Sequence, residues 1–196
     1  MSKGDQTRAT ILKQALNLTS EVGLEALTVG VLAKRVGMSK SGLYAHFDSK
    51  EDLQCQVLDF AADRFVELVL SRAFKQPRGI PRLRALYDLW LRWSTEGLSG
   101  GCPFIAAATE FDDRPGQVRD RVTKHLSDTV QTISRAARIA VEEGHFRDDV
   151  DVEQFAFEFW SILMGYHHYA RLLQRDDAQT RSDAAFDGLI RNSERT

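Results

Sequence analysis

Residues 28 to 53 read TVGVLAKRVGMSKSGLYAHFDSKEDL, and no other stretch constrains the architecture of this chain as strongly. Its first apolar residues recur at i, i+3, i+4 and i+7, the spacing of the buried face of a short helix. These residues are Val29, Leu32, Ala33 and Val36. Thr28 stands where an N-cap is expected, and Gly37 where a helix ends in the left-handed conformation. The segment therefore predicts a short helix followed by a tight turn.

A second short helix is predicted after the turn, from Ser39 to Phe47. Ser39 can cap it, and the 3.6-residue period puts Leu43 and Phe47 on one side. The other side carries Lys40, Ser41, Tyr44 and Ala45. Two helices joined by a three-residue turn, with a sheltered and an open side, indicate a DNA-reading helix-turn-helix. Such helix pairs also serve as plain packing units, so the spacing alone leaves both readings open.

The open side offers groups that suit DNA. Lys40 can neutralise a phosphate or donate to a guanine edge, and the hydroxyls of Ser41 and Tyr44 are short-range donors. Gly42 leaves room for a close backbone approach. Ser49 is the expected N-cap of the next helix, whose first-turn Lys50 can also reach a phosphate.

These residues resemble the N-terminal signature of the TetR (tetracycline repressor) family of bacterial transcription regulators. The matching residues are Thr28, Leu32, Ala33, Gly37 to Lys40, Gly42 to Tyr44, His46, Phe47 and Ser49 to Leu53. The resemblance covers roughly the first 55 residues. It implies DNA contacts at Thr28, Ser39, Lys40, Ser41, Gly42, Tyr44, His46 and Lys50. Among them, it implies backbone anchors at Tyr44, His46 and Lys50, with Ser39 to Ser41 nearer the bases.

One position departs from the family pattern. Gly30 stands where members commonly carry a polar or charged residue. A glycine inside a helix costs about 0.5–1 kcal/mol relative to alanine. The departure concerns the stability of the first helix rather than its identity.

Composition and charge fit such a protein. The 196 residues are 43% hydrophobic, enough for one small module, predicted as residues 1–50, and one larger domain, predicted as residues 51–196. The net charge is −2, but residues 1–50 hold seven Lys or Arg against four Asp or Glu, a balance of +3. The small module is therefore the basic one, and we expect its affinity for DNA to depend on two copies binding together.

No apolar run approaches the roughly 18 residues of a membrane span, and the start, Met1 to Thr10, lacks the apolar segment of a signal peptide. We therefore expect a cytoplasmic protein with no membrane partner.

Beyond Leu53 the apolar periodicity is helical, so the predicted fold class is all-α. The predicted helices run from Leu53 to Leu68, from Arg82 to Glu96, from Val118 to Ala140, from Asp151 to Leu173 and from Ala184 to Ile190. Breaks are expected at Pro77 to Pro81, in the loop from Gly97 to Pro103, and at Gly144. Asp151 should cap its helix while the Gln154 side chain reaches back as in a capping box.

The last helices offer a candidate dimer interface. Its residues are Phe155, Phe159, Ile162, Tyr169, Leu173, Phe186 and Leu189, with Ser161 and Gly165 as small residues beside them. The resemblance implies that two such helices from each chain form a four-helix interface. Ordinary intrachain core is the alternative explanation for any one of these residues.

A candidate ligand pocket comes from aromatic residues in the middle of the chain, with a few polar anchors. The candidates are Trp90, Trp93, Phe104, Glu110, Phe111, Trp160, Tyr166, His167 and His168. A plain helical core has the same composition, and that alternative stays open.

Metal, cofactor and catalytic sites are not expected. Cys55 and Cys102 have no paired-ligand spacing, and no disulfide is expected between them. The adjacent His167 and His168 point about 100° apart on a helix, which suits one metal ion poorly. No nucleophile elbow or paired-carboxylate motif is present, so a small helical enzyme is the distant alternative.

Cys102 precedes Pro103, which is expected in the first turn of a helix. A helix N-terminus lowers the pKa of a thiol. A redox-sensing role for Cys102 is therefore a hypothesis beside simple packing.

Together with the family resemblance, the sequence predicts a ligand-responsive regulator that binds double-stranded DNA as a homodimer, and the resemblance implies that it is most simply a repressor. A twofold dimer places its recognition helices about 34 Å apart, which predicts a palindromic operator. An unidentified small-molecule effector would change that separation and release the DNA. The alternative is a DNA-binding dimer without a small ligand, whose larger domain serves only dimerisation or protein contacts.

Overall fold

The structure, a computed structural model, describes residues 3–96 and 98–195. Throughout this part of the chain the regular elements are helices, and the one isolated bridge joins Phe146 to Glu194. The α-helices are α1 (Lys3–Val22), α2 (Val29–Val36), α3 (Lys40–Tyr44), α4 (Lys50–Phe65), α5 (Ser71–Ala73), α6 (Ile80–Thr95), α7 (Pro103–Phe111), α8 (Gln117–Glu142), α9 (Val152–His167) and α10 (Ala178–Ser193). Two π-helical turns, Val66–Leu70 and His168–Leu172, extend α4 and α9. The all-α prediction, with an N-terminal helix-turn-helix followed by further helices, is confirmed.

The chain divides into two compact units. One unit combines the chain up to Phe65 with Thr95–Leu126, and the other combines Val66–Ser94 with the chain from Ser127 onward. The predicted division between residues 1–50 and 51–196 stays a prediction. None of the described helices is long and apolar enough to cross a membrane.

The caps predicted around the helix-turn-helix are confirmed. The Thr28 side chain accepts a hydrogen bond from the Val31 N–H at 3.2 Å. Gly37 has φ +68°, the left-handed conformation that ends α2. Ser39 accepts from the Gly42 N–H at 3.1 Å. Local side-chain chemistry therefore fixes where α2 ends and α3 begins.

The second predicted helix is shorter than expected. It ends at Tyr44 rather than Phe47, because the backbone tightens at His46, whose N–H donates to the Leu43 carbonyl three residues back. Leu43 and Phe47 are nevertheless both buried, as predicted. The short helix keeps its apolar side inward and its polar side outward.

The first unit has a core rich in leucine. Its largest fully buried side chains are Phe47, Ile11, Leu24, Leu27, Leu32, Leu43, Leu53 and Leu58. Ser49 caps α4 by accepting from the Asp52 N–H at 3.0 Å, as predicted. The core therefore packs α1 against α4 and buries the apolar side of α3.

The second unit packs aromatic rings between α6, α9 and α10. The Tyr87 ring stacks on Phe186 at 4.2 Å between centroids, and Phe159 meets Phe186 edge-on at 5.2 Å. The Tyr87 hydroxyl hydrogen-bonds with Ser182 at 2.7 Å and with the Asp183 carboxylate at 2.8 Å. Burial raises the pKa of this hydroxyl, so it stays protonated as a donor.

Most predicted helices beyond residue 53 are present, with three corrections. The Gln154 side chain donates to Glu158 at 2.8 Å instead of reaching back to Asp151, so the prediction of a capping box is wrong. Asp151 itself does cap α9, since its carboxylate accepts from the Glu153 and Gln154 N–H groups at 3.0 Å.

The other two corrections concern where helices begin and end. α10 is longer than the predicted Ala184 to Ile190, because it begins at Ala178 after a turn held by Arg175 and Asp177. The predicted helix to Leu173 ends in a π-helical turn rather than in regular α-helix. Gly97, where the predicted loop begins, lies outside the described residues.

Candidate nucleic-acid interface

The exposed side of α3 is the centre of the candidate interface. Lys40, Ser41 and Tyr44 are exposed, while Leu43 between them is fully buried. The Ser39 and Ser41 hydroxyl oxygens lie 3.1 Å apart and share a hydrogen bond. Tyr44 is 56% exposed, a large fraction for an aromatic ring. A buried leucine thus holds in place a short polar surface that faces outward.

Gly30 gives Lys40 the space it occupies. A Cβ atom added at Gly30 would lie 3.2 Å from Cε and 3.6 Å from Nζ of Lys40, and 3.9 Å from the Thr28 hydroxyl. The Lys40 side chain therefore passes over the first turn of α2, close to Thr28. The spacing of the sequence did not show this contact, because it joins residues of two helices.

Lys50 is ion-paired with the turn between α1 and α2. Its Nζ lies 3.0 Å from Oε1 of Glu25, and Nη1 of Arg114 lies 3.5 Å from Oε2 of the same carboxylate. The hydrogen bond from Lys50 is the main reason that the pKa of Glu25 lies below its usual value. The lysine implied as a phosphate contact is thus ion-paired with a carboxylate of its own chain.

The same turn is fixed by two further side chains. The Glu110 carboxylate accepts from the N–H groups of Leu24 at 2.9 Å and of Glu25 at 2.8 Å. The buried Gln54 amide donates to the Leu24 carbonyl at 2.8 Å. Gly23, at φ +88°, leaves no room for a side chain, because a Cβ there would lie 1.9 Å from Glu110. Sequence reasoning gave Glu110 to a ligand pocket and missed this role.

The other candidates for DNA contact lie around this surface. Gly42 and His46 are half-buried, and the His46 ring lies 6.4 Å from the Phe47 ring. Thr28 and Ser39 use their hydroxyls as helix caps. All eight candidates fall on α2, α3 and the first turn of α4 or directly beside them. Their contact with DNA stays a prediction.

The predicted ligand residues are divided between the two units. Phe104, Glu110 and Phe111 belong to the first unit, and Trp90, Trp93, Trp160, Tyr166, His167 and His168 to the second. Trp90 meets Trp160 edge-on at 6.1 Å between centroids. Burial lowers the pKa of His167 to about 4, and its Nε2 is buried without a hydrogen-bond partner. A ligand role for these residues stays a prediction.

Each unit also contains a cavity. A groove of about 220 Å³ in the second unit is lined by Ile162, Tyr166, Tyr169, Arg181 and Ser182, among others. A cleft of about 280 Å³ in the first unit lies beside Glu25, Lys50, Gln54, Phe111 and Arg114, among others. Of the predicted pocket residues, Tyr166 lines the groove and Phe111 lines the cleft.

The predicted dimer residues split into buried and exposed sets. Phe155, Phe159, Phe186 and Leu189 are buried inside a single chain, which is the alternative that the sequence left open. Ile162 is half-buried, and Tyr169 and Leu173 are exposed.

Sequence reasoning missed two exposed apolar side chains in this region, Phe157 at 64% exposure and Leu172 at 75%. Phe157, Ser161, Gly165, Tyr169 and Leu173 follow one another at intervals of four residues and are all exposed. With Leu172, they form what we call the apolar stripe. The step of four was visible in the sequence, but which side of α9 faces the chain's own core was not.

Both cysteines are buried, although Cys102 does stand at the start of α7 with Pro103 in the first turn, as predicted. Cys102 is buried ahead of Pro103, and Cys55 is buried in α4, where burial raises the pKa of its thiol. Redox-sensor cysteines are solvent-accessible, so this burial does not support the redox hypothesis for Cys102. Within the described residues, no group of three or more His, Cys, Asp or Glu side chains could hold a metal ion.

Similar proteins share both sequence and architecture with this chain. The HTH-type transcriptional repressor KstR2 of Rhodococcus jostii is 29% identical over 195 residues, which cover 93% of this chain and 90% of that protein. The structure of a TetR transcriptional regulator from Chloroflexus aurantiacus is 27% identical, with a TM-score of 0.85 and coverage of 97% and 95%. The structure of AibR in complex with isovaleryl coenzyme A and operator DNA is 26% identical, with a TM-score of 0.70 and coverage of 93% and 96%.

Family models match both ends of the architecture. Residues 11–54 match the model described as bacterial regulatory proteins, tetR family, which includes α2, α3 and the start of α4. Residues 79–186, more than half of the chain, match the tetracyclin repressor-like C-terminal domain. The chain belongs to the TetR family of DNA-binding bacterial transcription regulators.

Proposed function

We propose that this protein is a ligand-responsive transcriptional repressor, which binds a palindromic operator as a homodimer and leaves it when a small-molecule effector binds. The observation that carries the proposal is the exposed polar side of α3, held in position by the buried Leu43. A helix-turn-helix uses such a surface to enter the major groove.

The proposed DNA contacts divide into two kinds. Ser39, Lys40, Ser41 and Gly42 lie at the start of α3, the end of a recognition helix that meets base edges. Thr28, Tyr44, His46 and Lys50 are proposed as contacts to the phosphate backbone, which position the protein without reading sequence. Repression then needs no further surface, because a protein bound over a promoter blocks it.

The dimer is proposed to form through the apolar stripe. Soluble monomers rarely expose large apolar patches without a function, and Leu172 at 75% and Phe157 at 64% exposure are large apolar side chains. A twofold dimer would set two copies of α3 about 34 Å apart, one turn of DNA. We therefore infer an operator with two inverted half-sites.

Two observations support a small-molecule effector: the ligand of a structural neighbour and a groove in the second unit. AibR, a structural neighbour at 26% identity, has been crystallised with isovaleryl coenzyme A and operator DNA. The groove of about 220 Å³ between α9 and α10 offers apolar and hydroxyl-bearing walls, the composition of small-molecule sites. Gly165 and Tyr169 belong both to this groove and to the apolar stripe, so a ligand bound there would act at the proposed dimer interface itself.

The operator is tested by selecting genomic fragments with the purified protein at about 0.15 M salt in the presence of competitor DNA. We expect enrichment of a palindrome with half-sites one helical turn apart, or a longer site that holds two dimers. Tyr44→Ala should lose this enrichment, whereas Phe74→Ala, which removes another exposed aromatic ring, should keep it. Absence of any enriched sequence for a folded protein would contradict the proposal.

Ligand response is tested on the operator recovered in that selection. Isovaleryl coenzyme A is the first probe, followed by other acyl coenzyme A thioesters and by the small-molecule fraction of a bacterial extract. Release of DNA by one of them supports the effector model. If all leave the complex intact, the DNA-binding dimer without a small ligand becomes the better description.

A further inference from the structure

Three charged side chains stand in a row beside the recognition helix. The Glu25 carboxylate lies between Lys50, at 3.0 Å from Oε1, and Arg114, at 3.5 Å from Oε2. Glu25 follows α1, Lys50 begins α4, and Arg114 lies between α7 and α8. One carboxylate therefore serves two cations that come from different parts of the first unit.

The backbone of Glu25 is held firmly. Its N–H and that of Leu24 both donate to the Glu110 carboxylate, and the buried Gln54 amide holds the Leu24 carbonyl. Because the main chain is fixed at this point, the carboxylate can adjust only by rotating its own side chain. Its choice of partner then depends on where Lys50 and Arg114 stand.

The segment that carries Arg114 contacts the start of α4 a second time. The Gln117 side chain donates to the Glu51 carboxylate at 2.8 Å. Arg114 and Gln117 lie within the stretch matched by the C-terminal family model, while Lys50 and Glu51 lie within the stretch matched by the N-terminal one. The two contacts are thus a physical link between the segment from Asp112 to Gln117 and the residue proposed to anchor DNA.

We propose that Glu25 is a positioning residue that limits how strongly Lys50 contacts DNA, by sharing its carboxylate between Lys50 and Arg114. A carboxylate and a DNA phosphate compete for the same ammonium group. When Arg114 is ion-paired with Glu25, the carboxylate holds Lys50 less strongly, and Lys50 is more available to the DNA phosphate. Without the Arg114 contact, Glu25 holds Lys50 more strongly and DNA binding weakens. The inference rests on the proposed phosphate contact of Lys50.

The strength of the effect follows from exposure. Both members of the pair are accessible, with 39% of the Lys50 side chain and 47% of the Glu25 side chain exposed. Exposed ion pairs are weak and are screened by salt. We therefore expect a modest effect on affinity, largest at low salt, rather than an all-or-none switch.

The experiment is a double-mutant cycle on DNA affinity with Glu25→Gln, Lys50→Gln and the double variant. Fluorescence anisotropy with a random-sequence duplex, from about 50 mM salt upward, needs no knowledge of the operator, because phosphate contacts are independent of sequence. We expect Glu25→Gln to bind about two- to five-fold tighter, the range for releasing one exposed ion pair. The slope of log K against log salt should steepen by up to about one unit for each Lys50 released.

Two further variants separate this role from a general change in charge or folding. Asp63→Asn removes an exposed carboxylate from the same helix as Lys50, about 20 Å along its axis at 1.5 Å per residue. It should bind like the wild type. Arg114→Gln should weaken binding in the wild-type chain and have less effect in the Glu25→Gln chain, since its influence passes through Glu25. Thermal unfolding by circular dichroism shows that each variant is folded.

The outcomes distinguish this inference from the proposed function. If Lys50→Gln alone leaves affinity unchanged, the proposed phosphate contact of Lys50 is wrong. If Lys50→Gln weakens binding but Glu25→Gln has the same effect with and without Lys50, the contact stands and the role of Glu25 is overturned. A tighter Glu25→Gln whose gain disappears in the Lys50→Gln background supports the inference.

Discussion

Gly30 lies in the first turn of α2, where its missing side chain makes room for Lys40. Glycine destabilises a helix through its backbone freedom, so the family's more usual polar residue would favour α2. In this chain Cε of Lys40 lies 3.2 Å from the place where the Cβ of that residue would stand, so a side chain there would push Lys40 slightly aside. We infer that the glycine lowers the stability of α2 and in return allows the Lys40 ammonium group to lie close to Thr28.

Gly30→Ala tests this trade. Because Gly30 does not need a positive φ, alanine should stabilise α2 and raise the free energy of unfolding by about 0.5–1 kcal/mol. The new methyl group should also displace Lys40 and change DNA affinity. Urea unfolding and DNA titration measure the two effects. In a Lys40→Ala background the stability gain should persist and the change in affinity should vanish; a change in affinity that persists there would contradict the role given to Lys40.

His167 makes stability depend on pH. Burial is the main reason that its pKa lies at about 4, with the nearby Arg171 and His168 adding to the effect. In the unfolded chain a histidine titrates near pH 6.5, so between about pH 6.5 and 4 the unfolded state binds more protons than the folded state. Stability should therefore fall as pH falls from about 6.5 and should lose nothing more from this group below about 4.

Urea unfolding of the wild type and of His167→Gln across this pH range measures the difference. The stability of the wild type relative to the variant should decrease as the pH is lowered. His168→Gln removes only the last and smallest of the contributions to the pKa of His167, so it should keep most of the fall in stability that the wild type shows. If the difference in the free energy of unfolding between the wild type and His167→Gln does not change with pH, this imidazole does not control stability in acid.

Helix ends show which features the sequence can and cannot reveal. The caps at Thr28, Gly37, Ser39 and Ser49 involve residues within a few positions of one another, so residue type and spacing predict them. The Gln154 side chain donates to Glu158 instead of returning to the backbone of Asp151. Both partners are close in sequence, so spacing alone does not predict which hydrogen bond forms. Lys50 and Glu25 meet across 25 residues, and a single sequence contains no signal for such a contact.

The contact between α6 and α10 is anchored by a buried polar group. The Tyr87 hydroxyl bonds to Ser182 and Asp183, and its ring stacks on Phe186. Tyr87→Phe keeps the stacking but leaves both Ser182 and Asp183 without this partner, which should lower the free energy of unfolding by about 1–3 kcal/mol. Chemical unfolding measures this, and the loss should shrink when Ser182→Ala is also present. An equal loss in both backgrounds would mean that the hydroxyl pair contributes little.

The distribution of charge and of apolar surface over the molecule fits a protein that depends on pairing. The chain is slightly acidic at −2, and its first 50 residues carry only +3. So small a basic excess gives weak attraction to DNA by a single copy. Two copies on one operator raise the affinity through effective concentration, by roughly 10²- to 10⁴-fold for linked binding modules. The apolar stripe on α9 is the surface that we propose for this pairing.

Leu172→Glu tests the pairing, since Leu172 is the most exposed large apolar side chain of those described, at 75%. Two copies of the new carboxylate would be buried at a twofold interface without a partner, so we expect a monomer in sedimentation velocity. Binding to the palindrome should fall by about 100-fold or more while binding to a single half-site is unchanged. Val66→Glu places the same charge on another exposed apolar position and should remain a dimer with wild-type affinity.

If Leu172→Glu stays dimeric and binds the palindrome normally, the stripe is not the dimer interface. If it becomes monomeric and still binds the palindrome with full affinity, pairing is not what supplies the affinity for the operator.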